Sequence, residues 1–166
     1  MTFDEFAADR LPAMLRFATA LAGDPDLAKD LVQEVLIRAS GRWPEIGHPE
    51  AYVRKMVVNE YLSWRRRSWR LIPAETGSCD AGDPSPDPAD EYVERQVLLA
   101  EMAKLPRRQR TALVLRYYEG FSDAEISELM GCTPSTVRGH VFRALAALRV
   151  ELGEPVGAVA LIKEGR

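Results

Sequence analysis

The chain carries only two cysteines, Cys79 and Cys132, and two histidines, His48 and His140, among 166 residues. The cysteines lie far apart, with neither a repeated disulfide framework nor a metal-ligand spacing, so a reducing compartment is the simpler setting. No glycine-rich phosphate loop, nucleophile and base pairing or ligand cluster accompanies the histidines; catalytic residues, metals and cofactors are therefore not expected. No apolar run reaches membrane-spanning length. Asp4, Glu5 and Asp9 stand where a signal peptide would carry basic residues ahead of an apolar stretch, so the expectation is a soluble, cytoplasmic protein.

The chain also lacks a strong charge of either sign, with a formal net of -3. That total hides an uneven distribution. Residues 1–70 carry 11 basic and 10 acidic side chains, residues 71–98 carry 1 and 7, and residues 99–166 carry 10 and 8. The acidity sits in a middle segment between two nearly neutral or slightly basic blocks. Hydrophobic residues make up 46%, enough to bury a core as one domain or as two small ones.

What is present is helical patterning, clearest at Ser122 to Leu145. Ser122 and Glu125 have capping-box spacing, in which each side chain satisfies a backbone donor at a helix start. Ile126 and Leu129 give that helix an apolar side, and Gly131 suits a left-handed C-terminal cap. Thr133 is a natural cap for the next helix and Pro134 suits its first position. There Val137, Val141, Leu145 and Leu148 recur every three or four residues. The opposite face carries Ser135, Thr136, Arg138, Gly139, His140 and Arg143, donors and small residues suited to phosphate contact and major-groove readout. Together these form a helix-turn-helix pattern.

Upstream, apolar spacing predicts an amphipathic helix over Phe3 to Leu21, bent or restarted at Pro12. Asp24 and Pro25 open a second helix with Leu27, Leu31 and Val35 as its stripe. Asp30, Gln33, Glu34 and Arg38 point outward there, as a wet surface or a docking face. Pro49 opens a third helix that buries Val53, Met56 and Val57 and ends in Asn59 to Arg70, where arginines interleave with Tyr61, Trp64 and Trp69. Guanidinium groups neutralise phosphates and aromatic rings stack on unpaired bases; the alternative is that the aromatics are core, Trp64 above all. Residues 71–90, rich in proline, glycine and aspartate, read as a flexible acidic linker. Helical spacing resumes at Glu91 with Val93, Val97, Ala100 and Leu105. Arg107, Arg108 and Arg110 then crowd a helix start, where cations oppose the dipole. They are better explained by a phosphate or carboxylate partner than by helix stability.

The order of these segments resembles the bacterial sigma factors, and the small two-module size resembles their extracytoplasmic-function group. The resemblance rests on Asp30-Leu31-Val32-Gln33-Glu34, on Asn59 followed by arginines, on Leu105 to Arg110, and on the capped helix-turn-helix. It implies an all-α chain of two small helical modules joined by the linker. The first module, about 1–70, would bind core RNA polymerase through Asp30, Leu31, Gln33, Glu34 and Arg38. Its third helix would capture the minus-ten promoter element through Arg54, Lys55, Asn59, Tyr61, Ser63, Arg65, Arg66 and Arg67. The second module, about 91–150, would read the minus-thirty-five element through Arg107, Arg108, Ser135, Thr136, Arg138, Gly139, His140 and Arg143. Residues 151–166 form a short tail without an assigned role.

Family members often carry an acidic residue where Ser63 stands, and a hydroxyl accepts less strongly from a base amine, so no minus-ten preference is carried over. An anti-sigma protein is a further possible partner. A stand-alone regulator binding duplex DNA through Ser122 to Leu145 is the other function open to the sequence. Also open is a compact free state in which the modules cover one another's DNA faces.

Overall fold

The computed structural model describes the backbone of residues 1–68 and 89–152 and the side chains of residues 1–63 and 95–149. The linker expected over 71–90 and the tail after 152 lie outside that backbone, save that Ala89 and Asp90 already belong to a helix. The described residues form seven α-helices and no strand: α1 Phe3–Ala22, α2 Pro25–Ser40, α3 Pro49–Ser68, α4 Ala89–Lys104, α5 Arg107–Tyr117, α6 Asp123–Met130 and α7 Pro134–Leu152. A 3-10 turn, Trp43–Glu45, joins α2 to α3. The fold is all-α, as the periodicity indicates.

Local chemistry sets most boundaries. Thr2 and Glu5 form a capping box at the start of α1, and Asp24 accepts from the Asp26 and Leu27 amides ahead of Pro25. Pro12 does not restart α1, which runs as one helix through it. An interior proline costs roughly 3 kcal/mol; burial of Phe6, Phe17, Ala18 and Leu21 on that helix offsets the loss, while Pro12 itself lies exposed.

The helices share one core. α2 buries Ala28, Leu31, Val32, Val35 and Ala39, packing on α1 and α3. α3 buries Val53, Val57 and Val58, with Met56 only half-buried. α5 is buried continuously from Arg110 to Leu115, the pattern of a helix covered on all sides rather than on one stripe. α4 departs in part from the expected phase: Leu105 is buried as expected, but Leu98 and Met102 are buried where Val97 and Ala100 were expected, and those two are exposed. Both sets have helical spacing, and only the position of the other helices decides between them.

α1 and α3 pack directly against the C-terminal helices. Phe17 stacks on Tyr118 at 6.1 Å between ring centroids. Gly23, which ends α1 at φ 73°, approaches α4 so closely that an added Cβ would meet the Ala103 Cβ at 2.9 Å. Gly23→Ala should therefore lose about 1–2 kcal/mol from the left-handed backbone alone, with further loss from the contact. Urea unfolding of the variant would check this, and an unchanged midpoint would refute it.

Candidate nucleic-acid interface

The α6–α7 unit is locally determined. The Ser122 hydroxyl accepts from the Glu125 amide at 3.3 Å, and the Ser122 amide donates to the Glu125 carboxylate at 2.8 Å. That backbone donor, followed by the Ser122 hydroxyl, holds the Glu125 carboxyl below its ordinary pKa. Gly131 adopts φ 63°, and the Thr133 hydroxyl caps α7 by accepting from the Thr136 amide at 3.2 Å. α7 then buries Val137, Val141, Ala144 and Leu148.

The other side of α7 carries the expected reading residues. Ser135, Thr136, Arg138 and Arg143 are exposed, and Gly139 and His140 are half-buried among them. Arg108 joins this group, its guanidinium donating to the Met130 carbonyl at the end of α6 at 3.3 Å. Burial first, then the charges of Arg143 and Arg108, push the His140 imidazole below its ordinary pKa. The shift favours the neutral ring, which can donate or accept toward a base edge. Arg143 lies 3.3 Å from His140 Nδ1 and beside Gly139, where an added Cβ would come within 3.4 Å of it. Sequence reasoning passed over Phe142, which is 72% exposed on this face. An aromatic residue off the apolar stripe was the available signal.

In this packed arrangement Arg107 does not join the reading face where the sequence expectation put it. It donates to the Tyr61 carbonyl at 3.0 Å and its guanidinium lies 4.9 Å from the Tyr61 ring centroid. Arg110 is buried and donates to the Met102 and Ala103 carbonyls at 3.3 and 2.8 Å and to the Tyr61 hydroxyl. It thus satisfies carbonyls left over at the end of α4, a role the phosphate or carboxylate reading missed.

On α3, Lys55 and Asn59 are exposed four residues apart, with Ser63 half-buried one turn further on. The Ser63 hydroxyl donates to the Glu60 carbonyl at 3.1 Å. Tyr52 precedes them on the same stripe, and with Lys55, Arg42 and His48 it lines an open hollow of about 380 Å³. Tyr52, Arg42 and His48 were not anticipated; a tyrosine one turn before Lys55 was the readable hint. Arg54 faces elsewhere, pairing with Glu119 at 2.7 Å and Glu50 at 3.1 Å beside the Phe121 ring. Tyr61 is a correction: at 1% exposure it is core between α3 and α5, not a stacking surface in this arrangement. Arg65, Arg66 and Arg67 lie on α3, with side chains outside the described residues.

On α2, Asp30, Gln33 and Glu34 are exposed. Arg38 pairs with Glu34 at 3.7 Å and with the buried Glu60 of α3. Leu31 is buried against the core, so it supports this face from beneath rather than forming it. Ile37, 61% exposed, adds an apolar contact to the face and edges a groove with Leu11 and Leu36; its place outside the stripe was legible but unused. Among the described residues there is no cluster of potential metal ligands and no helix long and apolar enough to cross a membrane.

Comparison with known proteins gives two family matches: sigma-70 region 2 over residues 6–71 and sigma-70 region 4 over residues 95–148. The RNA polymerase sigma-E factor of Streptomyces avermitilis is 34% identical, across all of this chain and 94% of its own length. The ECF RNA polymerase sigma factor SigL of Mycobacterium tuberculosis is 31% identical over 92% of this chain and 87% of its own. Among solved structures, the sigma factor RpoE of Bartonella quintana, crystallised with the anti-sigma factor NepR, matches with a TM-score of 0.66. It is 25% identical, over 99% of this chain and 98% of that one.

Proposed function

Because the chain belongs to the sigma-70 family, as a sigma factor of the extracytoplasmic-function group, we propose a division of its surfaces between polymerase and the two promoter elements. Residues 1–70 and 91–150 act as separate modules once on a promoter, with 71–90 as the connection. The α2 face of Asp30, Gln33, Glu34, Arg38 and Ile37 docks on core polymerase. The α3 stripe of Tyr52, Lys55 and Asn59 holds the minus-ten strand, and its hollow can seat one unstacked base. The α7 face reads the minus-thirty-five element, with Arg108 on the backbone and Phe142 available to a thymine methyl.

The observation that carries this reading is α7 itself: a fully buried stripe backs an outer face on which Ser135, Thr136, Arg138, Phe142 and Arg143 are all exposed. Helix-turn-helix proteins use such a face in the major groove. The packed arrangement belongs to the protein away from the promoter. Two elements about two turns of DNA apart, at roughly 34 Å per turn, cannot both be reached while the Tyr61 carbonyl and Arg107 are 3.0 Å apart. A protein that holds this closed form, an anti-sigma factor, fits the same logic. The protein acts in the cytoplasm as a non-enzymatic initiation factor. A stand-alone duplex regulator would not need the α2 face, and nothing in that surface favours it.

The test is run-off transcription with purified bacterial core polymerase on a pool of promoter fragments. Initiation from a defined subset is expected only when the protein is added; duplex binding without initiation would overturn the proposal. Glu34→Ala should weaken co-elution with core polymerase roughly tenfold, about 1.4 kcal/mol. Parental co-elution would remove Glu34 from the interface.

A further inference from the structure

Asp123 stands at the first position of α6, where an acid is favourable against the helix dipole without any side-chain partner. Here its carboxylate has two partners. One oxygen contacts the Arg116 guanidinium of α5, and the other lies 3.5 Å from Arg138 Nη1 of α7. A single carboxylate therefore ties three helices together.

The two cations are not equivalent. The Arg116 and Asp123 side chains are each about one-quarter exposed, whereas that of Arg138 is 60% exposed. Arg116 and Asp123 already neutralise each other, so the fold does not need Arg138 to balance a charge. What the ion pair supplies to Arg138 is direction. A long arginine side chain samples many rotamers, while two-point contact with a base edge needs the guanidinium plane fixed. Asp123 lies against Nη1, and a guanidinium carries five N–H donors. The carboxylate also repels phosphate, disfavouring the competing pose on the DNA backbone.

We propose that Asp123 is a positioning residue for promoter readout, holding Arg138 so that it addresses one base pair of the upstream element instead of the nearest phosphate. This rests on the assignment of the α7 face to the minus-thirty-five element, and the experiment separates the two claims. Full-length protein with core polymerase would be titrated against promoter fragments substituted at single upstream base pairs, in a salt series, for the parent, Asp123→Asn, Arg138→Ala and the double variant. Asp123→Asn is expected to lower discrimination about tenfold at one base pair. It should bind non-cognate duplex several-fold tighter, with a salt slope steeper by about 0.9, the value of one added phosphate contact. In the Arg138→Ala background it should change neither.

Thermal unfolding of each variant accounts for lost stability, and Arg116→Gln supplies the control. It removes the other half of the cluster but leaves Asp123 with Arg138, so it should lose stability and keep discrimination. If Arg116→Gln and Asp123→Asn lose discrimination in proportion to stability, Asp123 is only structural and the inference is wrong. If Arg138→Ala loses discrimination and Asp123→Asn does not, the inference alone fails. If Arg138→Ala discriminates as the parent does, Arg138 reads no base pair and the inference fails, whereas the α7 reading fails only if Arg143→Ala discriminates as the parent does too.

Discussion

Arg110→Ala should remove about 4 kcal/mol of folding stability, among the largest losses a single substitution produces. The side chain is buried and donates to two carbonyls at the end of α4 and to the hydroxyl of Tyr61. Alanine leaves those acceptors in a site closed to water, and each buried group without a partner costs about 1–3 kcal/mol. It also opens a cavity beside the Tyr61 ring, over which the guanidinium lies at 5.7 Å. For a chain of this size the melting temperature should fall by roughly 10 °C, at 2–4 °C per kcal/mol. Arg110→Lys should recover only part of this, because an ammonium cannot span three acceptors on two helices as a planar guanidinium does. Urea titration of the three proteins is the check. A loss under about 1 kcal/mol would mean that water reaches the α4 carbonyls once the side chain is gone.

The second large effect is on DNA. Arg143→Ala should weaken binding of the polymerase complex to promoters with an intact upstream element by about 5–150-fold, the range for losing one bidentate base contact at 1–3 kcal/mol. Promoters whose upstream element is scrambled should be nearly unaffected. The side chain is exposed and lies 3.3 Å from the His140 ring, a neighbour from which DNA can draw it without breaking a carboxylate ion pair. Arg143 has no part in the buried stripe of α7, so the unfolding midpoint should stay within about 0.5 kcal/mol of the parent. Filter binding or mobility shift with both promoter classes would decide. Equal loss on both would reassign Arg143 from base readout to phosphate contact.

Helix order, the caps at Asp24, Ser122 and Thr133 and the turn at Gly131 are readable from sequence because their causes lie within four residues. The exposed faces of α2 and α7 are readable for the same reason. What the sequence conceals depends on partners far along the chain. Tyr61 and Arg110 are 49 positions apart, and nothing local marks that ring as core rather than as a platform for bases. Arg107 and Arg108 are neighbours at a helix start, yet one turns toward α3 and the other toward α6. The phase of α4 is of the same kind. Several of its faces are apolar enough to bury, and contacts with α7 belong to the assembled core rather than to the helix. Leu31 shows the converse error: a residue inside a binding segment can serve it by packing underneath.

The contacts joining α1 and α3 to the C-terminal helices also set a quantity that no single surface reveals. On the proposed reading, only the opened chain reaches both promoter elements, so its apparent dissociation constant for a promoter is the intrinsic one divided by the opened fraction. Each 1.4 kcal/mol in the Arg54–Glu119 pair, the Tyr61–Arg107 contact or the seat of Gly23 raises tenfold the concentration at which the protein occupies a promoter. Substitutions along that seam would move the threshold of the transcriptional response without altering which promoters answer it.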